Sequence, residues 1–399
     1  MNTIRSDSLS LRQLKAVLQA AETGSISRAS AQLSRSQSAT SKAISQIERQ
    51  LGAKLFDRMT AGLIPTSYGE VLVNRLKVAY GEFERAGVAY ENLREDPSPA
   101  RQLPLFRMEI SNQRLVAFLA VHRYRNVRRA AEHLGITSHA VYRSLSELQD
   151  QLNLPLFERA TGGMLEATPY SQILRTHVRL AFSEIQRAID EMEGMYEGVV
   201  LGRVAVATLP AMRNLVVPRV VNKLLEAHPK IRVSMREGNF DFLVSALRSG
   251  DLDFVIGARN TSLDYPDLDL QYVMDAETRI LARAGHPLQD FGNVTAEHLA
   301  NAKWVLPMKG TTVADWFESY FESRGLIRPR DYVEASSSQI TDGILLESDR
   351  LALSSAYDVQ RRSEHAPIVV LAAHDIEQYS RDNLVKLNII RRAQTILSP

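Results

Sequence analysis

Apolar residues recur along the first sixty positions at helical spacing, and the same order of apolar and polar positions returns about a hundred residues later. Leu11, Leu14, Val17, Leu18 and Ala21 fall on one face of a 3.6-residue period. Ala29 and Leu33 mark a second short helix that Ser25 can cap. Ala39, Ala43, Ile44, Ile47 and Leu51 stripe a third that opens at Ser36. Gly52 ends it, and "AKLFDRMTAGLIPT" then reads as two short strands around Gly62. A long helix is predicted over 67–95, with Leu72, Leu76, Ala79, Phe83, Ala86, Tyr90 and Leu93 at alternating steps of four and three. Such a heptad seam needs a partner helix.

Residues 14–60 align without gaps on 115–161, with roughly 14 identities that include Leu18/Leu119, Arg28/Arg129, Leu51/Leu152, Phe56/Phe157 and Arg58/Arg159. One inserted residue shifts the offset to 102, after which Thr66 matches Thr168 and Tyr68 matches Tyr170. The second copy predicts the same elements and a second seam of Leu174, Val178, Ala181, Ile185, Ala188, Met192 and Met195. Two helices joined by a tight turn and followed by a hairpin describe a winged helix-turn-helix, whose second helix enters the DNA major groove. The expected order is a first winged domain over 1–66, a linker helix over 67–95 and a connector over 96–111. A second winged domain over 112–168 and a second linker helix over 169–197 follow. The proline-bearing connector is long enough for the two linker helices to pair antiparallel within one chain. Pairing with another chain's helices is the alternative.

From Gly198 the pattern alternates between strands and helices, as in "GRVAVATLP", "NLVVPRVVNKLLEAHP" and "KIRVSMREG". That alternation predicts parallel sheets with crossover helices, arranged over 198–399 as two α/β subdomains. The fold class is thus multidomain, α and α/β. The length of 399 residues exceeds what one core usually supports. With 45% hydrophobic and 24% charged residues the composition is ordinary for a globular chain, and no apolar run reaches the roughly 18 residues of a membrane span. No cysteine is present, which removes disulfides and thiolate chemistry. The amino-terminal "MNTIRSDSLSLRQLK" lacks a signal-peptide pattern, so a cytoplasmic location is expected.

Net charge of +2 is uninformative until it is divided. Lys and Arg outnumber Asp and Glu by 9 to 4 over 1–66 and by 7 to 5 over 112–168, while the remainder carries 32 against 37. Positive charge therefore accompanies the repeat, which suits a polyanionic partner. Ser36, Gln37, Ser38, Ser41 and Lys42 cluster at the amino end of the third helix, where phosphates are favoured and short polar side chains reach base edges. Arg58 and Thr66 fall on the wing, suited to backbone contacts. The plainer alternative is that Ser36 only caps the helix and Lys42 is a solvated charge.

The stretch 9–95 resembles the DNA-binding domain of LysR-type transcriptional regulators. Ser36, Gln37, Ala39, Ser41, Lys42, Ile44, Ile47, Glu48, Leu51, Gly52, Leu55, Phe56, Arg58, Thr66 and Gly69 all match that family's pattern. The second copy is looser: Tyr142 stands for the Ser, Gln149 for the Glu, Asn153 for the Gly and Ser171 for the last Gly. Its counterpart positions Thr137, Ser138, Tyr142, Arg143 and Arg159 are the candidate DNA contacts, with an altered or lost base-reading face. The resemblance implies a two-subdomain α/β effector-binding domain over 198–399, similar to the periplasmic-binding-protein fold. "LRSGDLDFVIG" and "ILARAGHPL" are its internal marks.

Ligands in such sheets bind beyond the carboxyl ends of strands and near helix amino ends. The candidate effector residues are Thr208, Arg213, Lys309, Thr311, Ser336, Ser337 and Gln339, whose hydroxyls and cations suit a small organic acid. Helix capping by the Ser and Thr residues is the alternative. No hydrolase, zinc-protease or phosphate-loop motif occurs, so no catalytic residue, metal or cofactor is expected. The expected function is transcriptional regulation through promoter DNA, controlled by a metabolite, in a homo-oligomer (dimer or tetramer) that meets RNA polymerase and no membrane. A ligand-independent repressor or DNA-architectural protein with a degenerate sensor is the alternative.

Overall fold

A computed structural model of the chain describes residues 4–59, 62–93, 103–159, 165–209, 216–258, 265–356, 359 and 367–393, except for the Arg159 side chain. Met1–Gly202 and Arg203–Leu397 form separate units. Among the described residues no helix is long and apolar enough to cross a membrane.

The first unit contains the same succession twice. Helices α1 (Leu11–Thr23), α2 (Ile26–Gln32) and α3 (Gln37–Leu51) precede a hairpin of β1 (Phe56–Met59) and β2 (Gly62–Pro65), then α4 (Ser67–Asn92). Helices α5 (Asn112–Tyr124), α6 (Val127–Leu134) and α7 (Ser138–Leu152) precede β3 (Phe157–Arg159), β4 (Leu165–Ala167) and α8 (Pro169–Glu197). Equivalent caps start equivalent helices. Ser25 and Asn126 accept from the amides of Arg28 and Arg129, and Ser36 and Thr137 from those of Ala39 and Ala140. Thr66 and Thr168 start the long helices in the same way. The Glu48 carboxylate accepts from the Leu55 amide at 2.9 Å, and its replacement Gln149 accepts from Leu156 at 2.8 Å, so the amide preserves the acceptor.

Both copies contribute to one hydrophobic core, which runs from Leu9 and Leu14 through Leu76, Phe83 and Tyr90 to Phe118, Leu148, Leu174 and Ile185. The two seams expected from heptad spacing pack on each other inside this chain. Arg75 Nη1 lies 3.0 Å from Glu184 Oε2, and His177 Nδ1 lies 2.8 Å from Glu82 Oε2. At the repeat offset of 102, His177 is the counterpart of Arg75 and Glu184 of Glu82. The two contacts are therefore one contact made twice in opposite directions, which requires α4 and α8 to run antiparallel about a local two-fold axis. Arg85 on Glu82 and Arg187 on Glu184 repeat as well. Burial pushes the Glu82 carboxyl up, but hydrogen bonds from His177 and Arg85 outweigh it and hold the group below its ordinary value.

The connector departs from the expectation of a bare linker. Residues 94–102 lie outside the described residues, but Leu105, Phe106, Met108 and Ile110 are buried in the shared core. Phe106 sits against Gly87, where an added Cβ would approach its ring to 3.1 Å. At the start of α5 the Asn112 side chain accepts from the Leu11 amide and donates to the carbonyls of Asp7 and Leu9, joining the two copies at their entrances.

The second unit holds two five-stranded sheets. In the first, β5 (Gly202–Thr208), β6 (Ile231–Glu237), β7 (Phe254–Ala258), β8 (Leu268–Ala276) and β14 (Val385–Arg392) are ordered β6-β5-β7-β14-β8. In the second, β9 (Thr278–Arg283), β10 (Lys303–Leu306), β11 (Tyr332–Glu334), β12 (Arg350–Ser355) and β13 (Ile368–Val370) are ordered β11-β10-β12-β9-β13. Helices α9 (Val216–Ala227), α10 (Phe240–Arg248), α11 (Ala296–Asn301), α12 (Thr312–Glu322) and α13 (Ser338–Leu346) connect the strands. The sheets are mixed rather than purely parallel. β5 runs parallel to β7, and β10 to β11 and β12, whereas β14 pairs antiparallel with β7 and β8, and β9 with β12 and β13. The physical reason is that β8 and β9 carry the chain from one sheet to the other with Glu277 alone between them, and β14 returns to close the first. Trp304 and Trp316 are buried, with their indole N–H groups donating to Leu299 and Asn383 carbonyls, as core residues rather than stacking platforms.

Candidate nucleic-acid interface

Helix α3 exposes polar residues at its amino end. Gln37, Ser38 and Lys42 are exposed there, while Thr40, Ala43, Ile44 and Ile47 turn inward. The Ser36 hydroxyl accepts from the Ala39 amide at 3.1 Å and lies 3.0 Å from the Ser38 hydroxyl, so it caps the helix and still borders the tip. Ser41 is half-buried and lines a cleft with Ser45, Glu48, Lys54, Asp57 and Arg58, the last exposed on β1. One expected contact also has a structural task. Thr66 accepts from the Gly69 amide at 3.1 Å and donates to the Lys54 carbonyl at 2.7 Å, which makes it the cap of α4 and the tie to the wing.

In the second copy Thr137 caps α7 through the Ala140 amide at 3.1 Å, Ser138 is half-buried, and Tyr142 is 56% exposed. Arg143 extends into solvent, but its Nε donates to Glu147 Oε1 at 2.9 Å. Glu147 is held from its other side by Arg114 of α5, with Nε to Oε2 at 2.8 Å. These hydrogen bonds, from Arg143 first and Arg114 second, hold the Glu147 carboxyl below its ordinary value. The corresponding link in the first copy is neutral, a hydrogen bond from Gln13 to Gln46. The sequence does carry a trace of this difference, because Arg143 and Glu147 are spaced i, i+4 on one helix face. Arg114, 33 residues away, completes it only in three dimensions. Arg159 belongs to β3, and its side chain lies outside the described residues.

The candidate effector residues are spread over the second unit. The loops at 307–311 and 335–337 leave the carboxyl ends of β10 and β11, which are parallel neighbours, so Lys309, Thr311, Ser336, Ser337 and Gln339 emerge at one end of one sheet. Thr208 ends β5 in the other sheet, is buried, and donates to the Leu209 carbonyl at 3.0 Å. Thr311 caps α12, accepting from the Ala314 amide and donating to the Met308 carbonyl. Ser337 occupies the cap position of α13 without a capping side-chain bond. Arg213 lies outside the described residues. A second cleft in this unit is lined by His286, His298, Lys303, Ser348, Asp349 and Arg350, and contains none of the expected effector residues. Among the described residues no group of His, Asp and Glu is placed to hold a metal.

Comparison with known proteins places this geometry. The model of bacterial regulatory helix-turn-helix proteins of the lysR family matches residues 11–70 and again 112–172, and the LysR substrate binding domain matches 197–381. The chain is 32% identical over 349 residues to the HTH-type transcriptional regulator GalR of Pseudomonas putida, covering 88% of this chain and 85% of that protein. It is 30% identical over 258 residues to the HTH-type transcriptional regulator GbpR of Azospirillum brasilense, covering 64% and 74%. Among solved structures, full-length CbnR complexed with its target DNA has a similar fold, with a TM-score of 0.53 at 17% identity over 71% of this chain and 93% of that one.

Proposed function

The chain belongs to the lysR family of transcriptional regulators, which are not enzymes, and from that premise we propose that it controls transcription by gripping promoter DNA with two tandem winged helix-turn-helix domains under the command of a metabolite. The domain bounds are those expected above, with the connector built into the core of the first unit. Helix α3 reads base edges through Gln37, Ser38, Ser41 and Lys42, while Ser36 and Arg58 approach the backbone. In the second copy Thr137, Ser138, Tyr142, Arg143 and Arg159 face a second stretch of the same duplex. The observation that carries this reading is the polar, cationic tip of α3, which stands exposed with Lys42 while the apolar face of the same helix is buried.

The 203–397 unit acts as a two-subdomain effector receptor. A small carboxylic acid binds at the carboxyl ends of β10 and β11, where Lys309 supplies charge and Ser336, Ser337 and Gln339 supply hydrogen bonds. Thr208 and Thr311 shape the site through their backbone bonds rather than by direct contact. Ligand binding biases the chain between two DNA-bound arrangements. The protein works in the cytoplasm as a homo-oligomer that contacts RNA polymerase. Footprinting on a fragment from the chain's own locus tests the reading, with protection expected for the unaltered chain and lost in Lys42→Ala. A thermal-shift screen with small mono- and dicarboxylic acids tests the receptor. No stabilisation by any acid would favour the ligand-independent repressor instead.

A further inference from the structure

The two recognition helices face different electrostatic tasks. Over 35–58 the chain carries Arg35, Lys42, Arg49, Lys54 and Arg58 against Glu48 and Asp57, a balance of five to two. Over the equivalent 136–159 it carries Arg143 and Arg159 against Glu147, Asp150 and Glu158, two to three. The positions of Arg35 and Ser41 are taken by Ile136, 44% exposed, and Tyr142, 56% exposed. The cation that is kept, Arg143, is drawn onto Glu147, which Arg114 fixes from behind. The antiparallel helix pair relates the two copies by a local two-fold axis, yet their tips are chemically unlike.

Resting on the DNA-binding reading above, we infer that a single chain engages a non-palindromic duplex site with two unlike halves, and that Glu147 is the residue that sets their inequality. The α3 half supplies most of the phosphate grip, and hence most of the salt dependence. The α7 half is read by apolar contact. Tyr142 and Ile136 suit the C5-methyl of thymine, a feature only the major groove displays, and His139 stands exposed one turn before Arg143. A carboxylate held against Arg143 also repels phosphate from that tip, so the second head discriminates without gripping indiscriminately.

The test uses the full-length chain and a fragment from its own locus, with binding followed by fluorescence anisotropy between 50 and 200 mM salt. Glu147→Gln, which copies the first head's Gln46, frees Arg143 for a phosphate. The log–log salt slope is then expected to steepen by about 0.9, equivalent to an additional loss of about 3.5-fold in affinity across that salt range. Tyr142→Ala is expected to leave the slope unchanged and to relax base preference in one half of the footprint only. A duplex made symmetric by duplicating the half that Lys42→Ala unprotects is expected to bind more weakly than the native one. An unchanged slope in Glu147→Gln, or tighter binding to the symmetric duplex, would overturn the inference while leaving the regulator reading intact. Lack of salt-sensitive, sequence-dependent binding by the unaltered chain, measured before any variant, would overturn both.

Discussion

Where the first head places Gln46 one turn beyond Lys42, the second places Glu147 one turn beyond Arg143. Around that exchange the scaffold is conserved to the level of single hydrogen bonds, including the caps, the acceptor for the residue after the third helix, and the bond from the wing to the loop before it. The Leu63 amide donates to Gly24 in one copy and the Leu165 amide to Arg125 in the other. The comparison teaches that the constraints of folding and of recognition separate cleanly here. The capping positions and the acceptor after the third helix keep their donor or acceptor, whereas the exposed helix tip loses its free positive charge. A second paired exchange shows how interior change is accommodated. Gly69 leaves no room for a side chain, since a Cβ there would lie 2.0 Å from the Leu55 carbonyl oxygen. Its counterpart Ser171 is accepted, with a hydroxyl 3.0 Å from the ring of His122.

The largest expected effect lies at the linker pair. Arg75→Ala removes the buried cation that Glu184 and Glu191 share, with an expected destabilisation of about 3–5 kcal/mol in denaturant unfolding. His177→Ala, its counterpart, removes a partner with one carboxylate and is expected to cost less; equal losses would show that the second carboxylate on Arg75 adds nothing. Next in size, Gly69→Ser is expected to destabilise by about 1–3 kcal/mol or more through overpacking, which thermal unfolding measures. Replacing both Gly69 and Ala21 with the Ser and His of the second copy sharpens the point, since the intolerance should persist if the local backbone, and not the missing partner, sets it. Lys42→Ala is expected to reduce DNA affinity by roughly 3.5-fold more at 50 than at 200 mM salt, and Arg143→Ala to change that ratio little.

A separate effect is one of pH. Burial, with help from Arg175, lowers the His122 imidazole from 6.5 to about 4. The unfolded chain therefore binds a proton that the folded chain refuses between those values, and stability falls as pH drops from about 6.5 to 4. His122→Gln should flatten that window, and an unchanged pH profile of unfolding would show that the imidazole is not held neutral.

Much of the first unit was legible because its apolar spacing is regular and occurs twice, so each copy corroborates the other. The heptad seams announced that two helices needed partners, but spacing alone left open which chain supplied them; the Arg75–Glu184 and Glu82–His177 pairs resolve it for this structure. The connector was less readable. Leu105, Phe106, Met108 and Ile110 follow no helical or strand period and sit among prolines, so nothing local marks them as core. In the second unit β8, β9, β13 and β14 escaped notice, since an expectation of parallel strands alternating with helices has no place for antiparallel strands that cross between sheets. The exposed polar end of α3 was readable as a motif. The neutralised tip of α7 was not, because its second clamp, Arg114, comes from a different helix.

The covalent join between the paired helices bears on abundance inside a cell. Two separate polypeptides must meet before they can present a pair of heads, and at a few copies per cell that meeting is the weak step. Here the partner arrives with the chain, tethered through residues 93–112, at an effective concentration in the millimolar range that no dilution lowers. A transcript translated once already yields both helix-turn-helix copies packed on one core.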